Sequence, residues 1–317
     1  MVEETLEQRG HTYRRRSGFH ILPIIVIVAI VTILVTGINV FKKKSPNDSV
    51  SPVPKDNSTN VLSFLSGKKS TEELKKSINA AISGSLKNYS IYVKDLKGDF
   101  SFDIGKSIVY TATSVNKLPI FAALYAMADK GELNLDTVIT MQADDIQDYG
   151  TGSMRYDEPG TTYSLKTLGK LMIQKSDNTA AYILARQAIG IEKIQKFVTD
   201  WGMVQTNIDG NLTSNADMEL LLEKIYKGKL VNASLTKEML SIMKDNEIND
   251  RLPAKLPEDA LVYHKTGNGV GFIHDVGIIE TPKSLYYVGI FTSDVSDEEK
   301  TISTIANLSK VIYDFMK

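Results

Sequence analysis

The 317-residue chain contains no cysteine and only four histidines, and it has almost no net charge, with 37 Lys+Arg against 38 Asp+Glu. Without thiols there are no disulfides, no cysteine nucleophile, no iron–sulfur cluster, no cysteine-ligated zinc and no lipid-modified N-terminal cysteine. The compartment stays open, because a secreted domain of this size can build its core without bridges. His11 and His20 lie before or beside the first apolar stretch, which leaves His264 and His274, too few for zinc. A net charge of −1 argues against nucleic acid as a partner, since phosphate-backbone binders carry clustered Lys and Arg.

Several motifs are also missing. No serine is flanked by glycines at both ±2, so there is no nucleophile elbow. Gly105-Lys106-Ser107 lacks the earlier glycine of a P-loop, because Phe100 stands there. Gly267-Asn268-Gly269-Val270-Gly271 is followed by a strand-like segment where a dinucleotide fingerprint needs a helix. No cofactor and no metal is therefore expected.

One long apolar run is present. Ile21 to Phe41 carries no charge and spans roughly 31 Å at helical rise, the thickness of a bilayer core. It runs into Lys42-Lys43-Lys44 rather than a small-x-small cleavage site, so an uncleaved anchor is expected rather than a signal peptide. Arg9, Arg14, Arg15 and Arg16 on one side nearly balance Lys42, Lys43 and Lys44 on the other. The layout decides the orientation: a short cytoplasmic tail, 1–20, precedes the anchor, 21–41, and the globular part follows. This implies a single-pass protein of the cell membrane with its domain outside. The linker, 42–66, is polar from Ser45 to about Asn60 and contains Pro46, Pro52 and Pro54, a composition unable to order itself. Residues 67–317 then form one globular domain, expected to be a monomer.

Within it, Ser70-Thr71-Glu72-Glu73 reads as a capping box, followed by Leu74, Ile78, Ala81 and Ile82 on one helical face. Tyr89–Leu96 and Phe100–Ile104 alternate around Lys97-Gly98 and predict a hairpin. Helices are expected over Leu118–Lys130, Leu165–Gln174, Thr179–Ala188, Ile191–Asp200 and Met218–Tyr226. The period returns to two in Ala260–His264, Gly271–Ile279 and Leu285–Thr292, and Thr301–Met316 closes the chain as a helix. Strands at both ends around a helical insert imply an α+β fold whose terminal segments share one sheet.

Four Ser-x-x-Lys tetrads occur, at Ser66, Ser114, Ser234 and Ser241, so the motif alone carries little. Ser114 differs in context: it follows the strand-like Ile108–Tyr110 and opens an apolar helix. At that spacing Lys117 lies beside the Ser114 hydroxyl at a helix N-terminus. A serine hydroxyl is a poor nucleophile until a neighbouring base takes its proton, and a lysine serves only if its pKa is lowered. Ser176-Asp177-Asn178 is the only such triplet, and its residues are equally ordinary helix caps. Lys265-Thr266-Gly267, the only Lys-[Ser/Thr]-Gly, ends a strand.

In this order and these contexts the three motifs form the signature of penicillin-recognising serine enzymes. The chain resembles the class A β-lactamases and their low-molecular-weight penicillin-binding relatives over residues 67–317, including Pro159-Gly160 and His274-Asp275-Val276-Gly277. The resemblance implies the serine β-lactamase/transpeptidase fold, an antiparallel sheet with a helical subdomain. It implies Ser114 as the acylated nucleophile, Lys117 in its deprotonation, and Ser176 as proton relay to the leaving nitrogen. Lys265 would supply positive potential for the substrate carboxylate, Thr266 would bind that carboxylate, and Asn178 would bind the substrate amide. Gly267 follows on the same strand. The N–H groups of Ser114 and Asn268 would form the oxyanion hole, and His274 would be a carboxylate contact.

The chain departs from the class A pattern in one place. The family's loop with a glutamate and an asparagine that hold the deacylating water corresponds to Trp201–Thr213, which is short and contains no Glu. Asp209 is its only carboxylate, and Glu219 and Glu223 lie on the following helix. Acylation is expected to proceed and deacylation of penicillins to be slow. The expected function is a membrane-anchored serine hydrolase acylated by β-lactams and acting on D-Ala-D-Ala peptidoglycan stem peptides. Alternatives are a slow class A β-lactamase and a non-turnover module sensing β-lactams or muropeptides.

Overall fold

The computed structural model describes residues 69–317. The expected tail, anchor and linker, and the first two residues of the expected domain, lie outside the described residues. Among the described residues no helix is long and apolar enough to cross a membrane.

Helix α1, Thr71–Ile82, begins where the capping-box sequence places it, although Ser70 is extended and its hydroxyl makes no cap bond. The hairpin follows as β1, Asn88–Asp95, and β2, Ser101–Ile104. After the short β3, Val109–Thr111, a 3₁₀ turn over Thr113–Asn116 runs into α2, Lys117–Asp129. Every residue of α2 from Lys117 to Met127 is buried, so this helix is apolar all round and passes through the middle of the helical subdomain. The ribbon β4, Val138–Thr140, and β5, Thr162–Ser164, leads to α3, Leu165–Gln174, capped by the Ser164 hydroxyl. Thr179–Ala188, expected as one helix, divides into α4, Asn178–Tyr182, and a wider π-helical stretch, Ile183–Ile189.

Helix α5, Ile191–Asp200, precedes the short loop and β6, Leu212–Ser214, which pairs antiparallel with β3. Helices α6, Asn215–Tyr226, and α7, Ala233–Lys244, complete the subdomain. Helix α7 is not among the helices expected from the sequence, although Asn232 caps two of its N–H groups and Met239, Ile242 and Met243 form its buried stripe. Two of the four Ser-x-x-Lys tetrads, at Ser234 and Ser241, ride on this helix away from the site.

The strands β7, Leu261–Gly269, β8, Phe272–Glu280, and β9, Leu285–Ser293, join β1 and β2 in one antiparallel sheet of order β2-β1-β9-β8-β7. The first and last strands of the described residues thus share a sheet, as expected. Register sets Ile91 against Ile290 and Val93 against Val288. These four side chains are buried with Leu74 and Ile78 of α1 and Ile305, Leu308 and Ile312 of α8, Glu298–Met316. The other face carries Tyr92 and Tyr287 toward the subdomain core. Strand β7 is left at the sheet edge beside the 3₁₀ turn, and that juxtaposition positions the site.

Candidate active site

Ser114 enters the site through a strained turn. The Ala112 N–H is held by the Asn211 carbonyl at 2.8 Å, and Thr113 then takes φ 50°, the left-handed region that a β-branched residue rarely occupies. This turn faces Gly267 of β7, where a Cβ would lie 2.2 Å from Thr113 Oγ1 and 3.2 Å from the Ala112 carbonyl oxygen. Only glycine lets the edge strand approach the nucleophile so closely.

Lys117 follows one turn later, 5% exposed, with its Nζ 2.9 Å from Ser114 Oγ. Nζ also donates to the Ser176 carbonyl at 2.8 Å and to Asn178 Oδ1 at 2.7 Å. Those two oxygens can only accept, so they take the two N–H bonds of a neutral amine and leave its lone pair for the Ser114 hydroxyl proton. Burial pushes the amine down to about 7, against the pull of the Asp177 carboxylate. A neutral base next to a hydroxyl is the arrangement that nucleophilic acyl transfer needs.

The triplet is built around Asp177. Its carboxylate caps α4 through the Ala180 N–H and accepts from the N–H groups of Ser153 and Met154 at 2.7 and 2.9 Å. Gly152, at φ 119°, allows this contact, because a Cβ there would meet Asp177 at 2.4 Å. Ser176 is thereby held at φ 55°, with its carbonyl shared between Lys117 and the Thr151 hydroxyl. Its Oγ lies 2.9 Å from Lys265 Nζ and 3.4 Å from Lys117 Nζ, bridging the two amines. Lys265 is fully buried and donates to the Thr266 carbonyl. Burial and then the neighbouring Lys117 depress its pKa, with Arg251 adding and Asp275 opposing.

A cleft of about 680 Å³ opens in front of these groups, lined by Ser114, Lys117, Ser176, Asn178, Thr266 and Asn268 among others. The structure therefore brings eight of the nine expected site residues to one place, with Gly267 behind the nucleophile turn. His274 is the exception and requires correction. It is fully buried beneath β3, in contact distance of Tyr110 and Phe291, and both ring nitrogens are engaged. Nε2 donates to the Thr111 carbonyl at 2.9 Å and Nδ1 accepts from the Thr292 N–H at 3.2 Å. Burial lowers its pKa to about 4, so it is a neutral strut.

The loop between α5 and β6 carries no carboxylate into the cleft. Asp209 is 75% exposed at its side chain and pairs with Arg186 at 3.6 Å. Glu219 and Glu223 turn to Lys94 of β1 at 2.8 and 2.7 Å. Among the lining residues there is no Asp or Glu; Asn211, at φ 50°, takes the inner position and accepts from the Asn116 amide. The loop is pinned short by residues the sequence did not single out. Asp217 accepts from the Gln205 N–H and the Thr206 hydroxyl, and Gln195 bonds Thr206 and Ile208.

A serine with a lysine base, set against the edge strand of an antiparallel sheet, defines a β-lactamase-like serine hydrolase. The sequence model described as the β-lactamase enzyme family matches residues 73–316, and the chain belongs to that family. It is 26% identical to a β-lactamase of Bacteroides uniformis over 277 residues, 77% of this chain and 92% of the relative. Identity to β-lactamase VEB-1 of Pseudomonas aeruginosa is also 26%, over 65% of this chain and 79% of that one. Among solved structures, a mutant of PBP-A in an acyl-enzyme complex with penicillin G superposes with a TM-score of 0.71 at 27% identity. The match covers 77% of this chain and 96% of the other.

Proposed function

We propose that this protein is a membrane-anchored, extracytoplasmic serine enzyme that β-lactams acylate at Ser114 and that acts on D-Ala-D-Ala peptidoglycan peptides. One observation carries the reading: the cleft around Ser114 is lined by no carboxylate among the described residues, and Asp209 faces solvent with Arg186. Lys117 takes the Ser114 proton, and Ser114 Oγ attacks the carbonyl of the lactam or peptide. Negative charge develops on that oxygen against the N–H groups of Ser114 and Asn268, where one such donor contributes about 3–4 kcal/mol. The leaving nitrogen then takes a proton through Ser176 Oγ, which touches both lysines. Water attacking the acyl-enzyme lacks a carboxylate base, and such assistance is typically a factor of 10²–10⁴. The PBP-A mutant found as an acyl-enzyme complex with penicillin G supports acylation of this site by a penicillin. The anchor rests on Ile21–Phe41 alone.

A class A β-lactamase is the second reading, supported by the names of both curated relatives. Mass spectrometry over time after mixing with benzylpenicillin separates the two. The first reading expects a Ser114 adduct that persists for many minutes and D-alanine release from a pentapeptide. Rapid steady turnover of penicillin with no accumulating adduct selects the β-lactamase.

A further inference from the structure

Behind the catalytic lysines, on the strand that carries Lys265, lies a second polar cluster that the acylation chemistry does not use, buried at His264 and Asp275 and reaching the surface at Asn249. His264 and Asp275 are both fully buried, with His264 Nδ1 2.9 Å from Asp275 Oδ1. On the other side of the ring, Nε2 lies 3.1 Å from Asn249 Oδ1. The orientation of the Asn249 amide is fixed independently, because its Nδ2 donates to the Asn246 carbonyl at 2.6 Å. Turning the amide round would bring two acceptor oxygens together at that distance. Asp275 Oδ2 meanwhile accepts from the Leu252 N–H at 3.0 Å, so the carboxylate faces donors on both oxygens.

Both ring nitrogens thus face acceptors, and a neutral imidazole satisfies only one of them. We propose that His264 is held as an imidazolium, a positioning residue that cancels the charge of Asp275 and thereby governs the charge balance at the Lys265–Ser176–Lys117 chain. The surroundings make that balance matter. Lys265 lies next along β7, and Asp275 comes from β8. Arg251 comes from the loop after α7, donates to the carbonyls of His274 and Gly267, and pairs with the half-exposed Asp250. Helix α8 contributes the Ser309 hydroxyl, on the Leu252 carbonyl. With His264 charged, Asp275 is neutralised and Arg251 is left to oppose a proton on Lys265. With a neutral residue at 264, Asp275 is uncompensated and holds that proton. Lys265 and Lys117 share Ser176 Oγ, so their titrations belong to the pair. The same cluster ties the loop bearing Ile248, a wall of the cleft, to β7 through the Asn246 amide on the His264 carbonyl.

The inference rests on the acyl-enzyme reading for its kinetic consequence but not for the protonation state, so two measurements test it separately. In the full chain labelled with ¹⁵N-histidine, the ring signals that vanish in His264→Gln should show both nitrogens protonated at about pH 7.5. A single protonated nitrogen overturns the proposal whatever the enzyme does. The pH dependence of Ser114 acylation by a fluorescent penicillin is the second. His264→Gln should move its rising limb alkaline, and Asp275→Asn should move it acid, each by roughly half a pH unit or more for one charge in a site of this kind. The double variant His264→Gln/Asp275→Asn should return toward the parent. A double variant displaced as far as either single overturns the charge-balance role, since purely structural damage accumulates. If the parent protein is not acylated at all, the proposed function fails and the ring signals still decide the imidazolium.

Discussion

The Lys117 amine lies 2.9 Å from the Ser114 hydroxyl, with its two other close partners, the Ser176 carbonyl and Asn178 Oδ1, able only to accept. Because burial brings the amine down to about 7, the base is half-protonated near neutrality. Only the neutral form can take the Ser114 proton. Acylation measured as a second-order rate constant should therefore rise about tenfold per pH unit below this value and level off above it. A profile flat between about pH 5.5 and 8.5 would remove Lys117 from the proton transfer.

Substitution of the same residue gives a second test. Lys117→Ala should lower acylation by about 10²–10⁴, the usual range for a lost general base. Lys117→Arg should do no better, because a guanidinium does not deprotonate in proteins. Normal labelling of either variant with a fluorescent penicillin would reject the assignment.

Gly267 and Thr113 predict a paired effect. A Cβ at position 267 would collide with Thr113 Oγ1 at 2.2 Å, and Thr113 already sits at a left-handed φ beside the nucleophile. Gly267→Ala should push the Ser114 turn from the edge strand and slow acylation roughly tenfold or more, since small displacements of reacting groups are costly. Adding Thr113→Ala removes the colliding oxygen and should restore part of the rate. No restoration in the double variant would show that the glycine is there for another reason.

The three motifs were legible because each is local: a tetrad on one helical turn, a triplet at a helix start, and three consecutive residues of one strand, which runs on past them to Gly269 rather than ending at them. The sheet was legible for a similar reason, from the period-two pattern at both ends. What the sequence concealed depends on long-range contact. His274 alternates correctly for a strand, and only the approach of β3 shows that its ring faces inward, onto the Thr111 carbonyl. Helix α7 follows α6 across a short turn, and its capping Asn232 resembles any loop residue. The anchors of the short loop, Gln195 on α5 and Asp217 on α6, reach it from two different helices, which no spacing reveals.

Asp209 is the one carboxylate that the sequence leaves for activation of the deacylating water. Its side chain is 75% exposed and paired with Arg186 rather than aimed at Ser114. Asp209→Asn should therefore change the lifetime of the penicilloyl adduct by less than about twofold, well below the 10²–10⁴ of a lost base. A much longer-lived adduct in this variant would instead make Asp209 the base and imply that the loop closes inward on the acyl-enzyme.

His274 carries a stability prediction with a definite sign. Its pKa falls from the ordinary 6.5 to about 4 because the folded protein buries the ring, fully shielded from solvent, between the Thr111 carbonyl and the Thr292 N–H. The unfolded chain binds the proton more readily, so stability is fully present above about 6.5 and is lost as the pH falls through about 4. The size follows from the shift, about 3 kcal/mol in all. Other groups titrate in the same window, so the measurement is a comparison. Denaturant unfolding of the parent and of His274→Gln, at several pH values from about 6.5 down to 4, should give curves that converge by about that amount as acid is added. The variant starts lower, since it loses ring packing against Phe291 and Tyr110. Parallel curves would mean that the ring takes its proton as easily in the folded protein as in the unfolded one. They would reopen the place of His274 as a charged contact at the cleft.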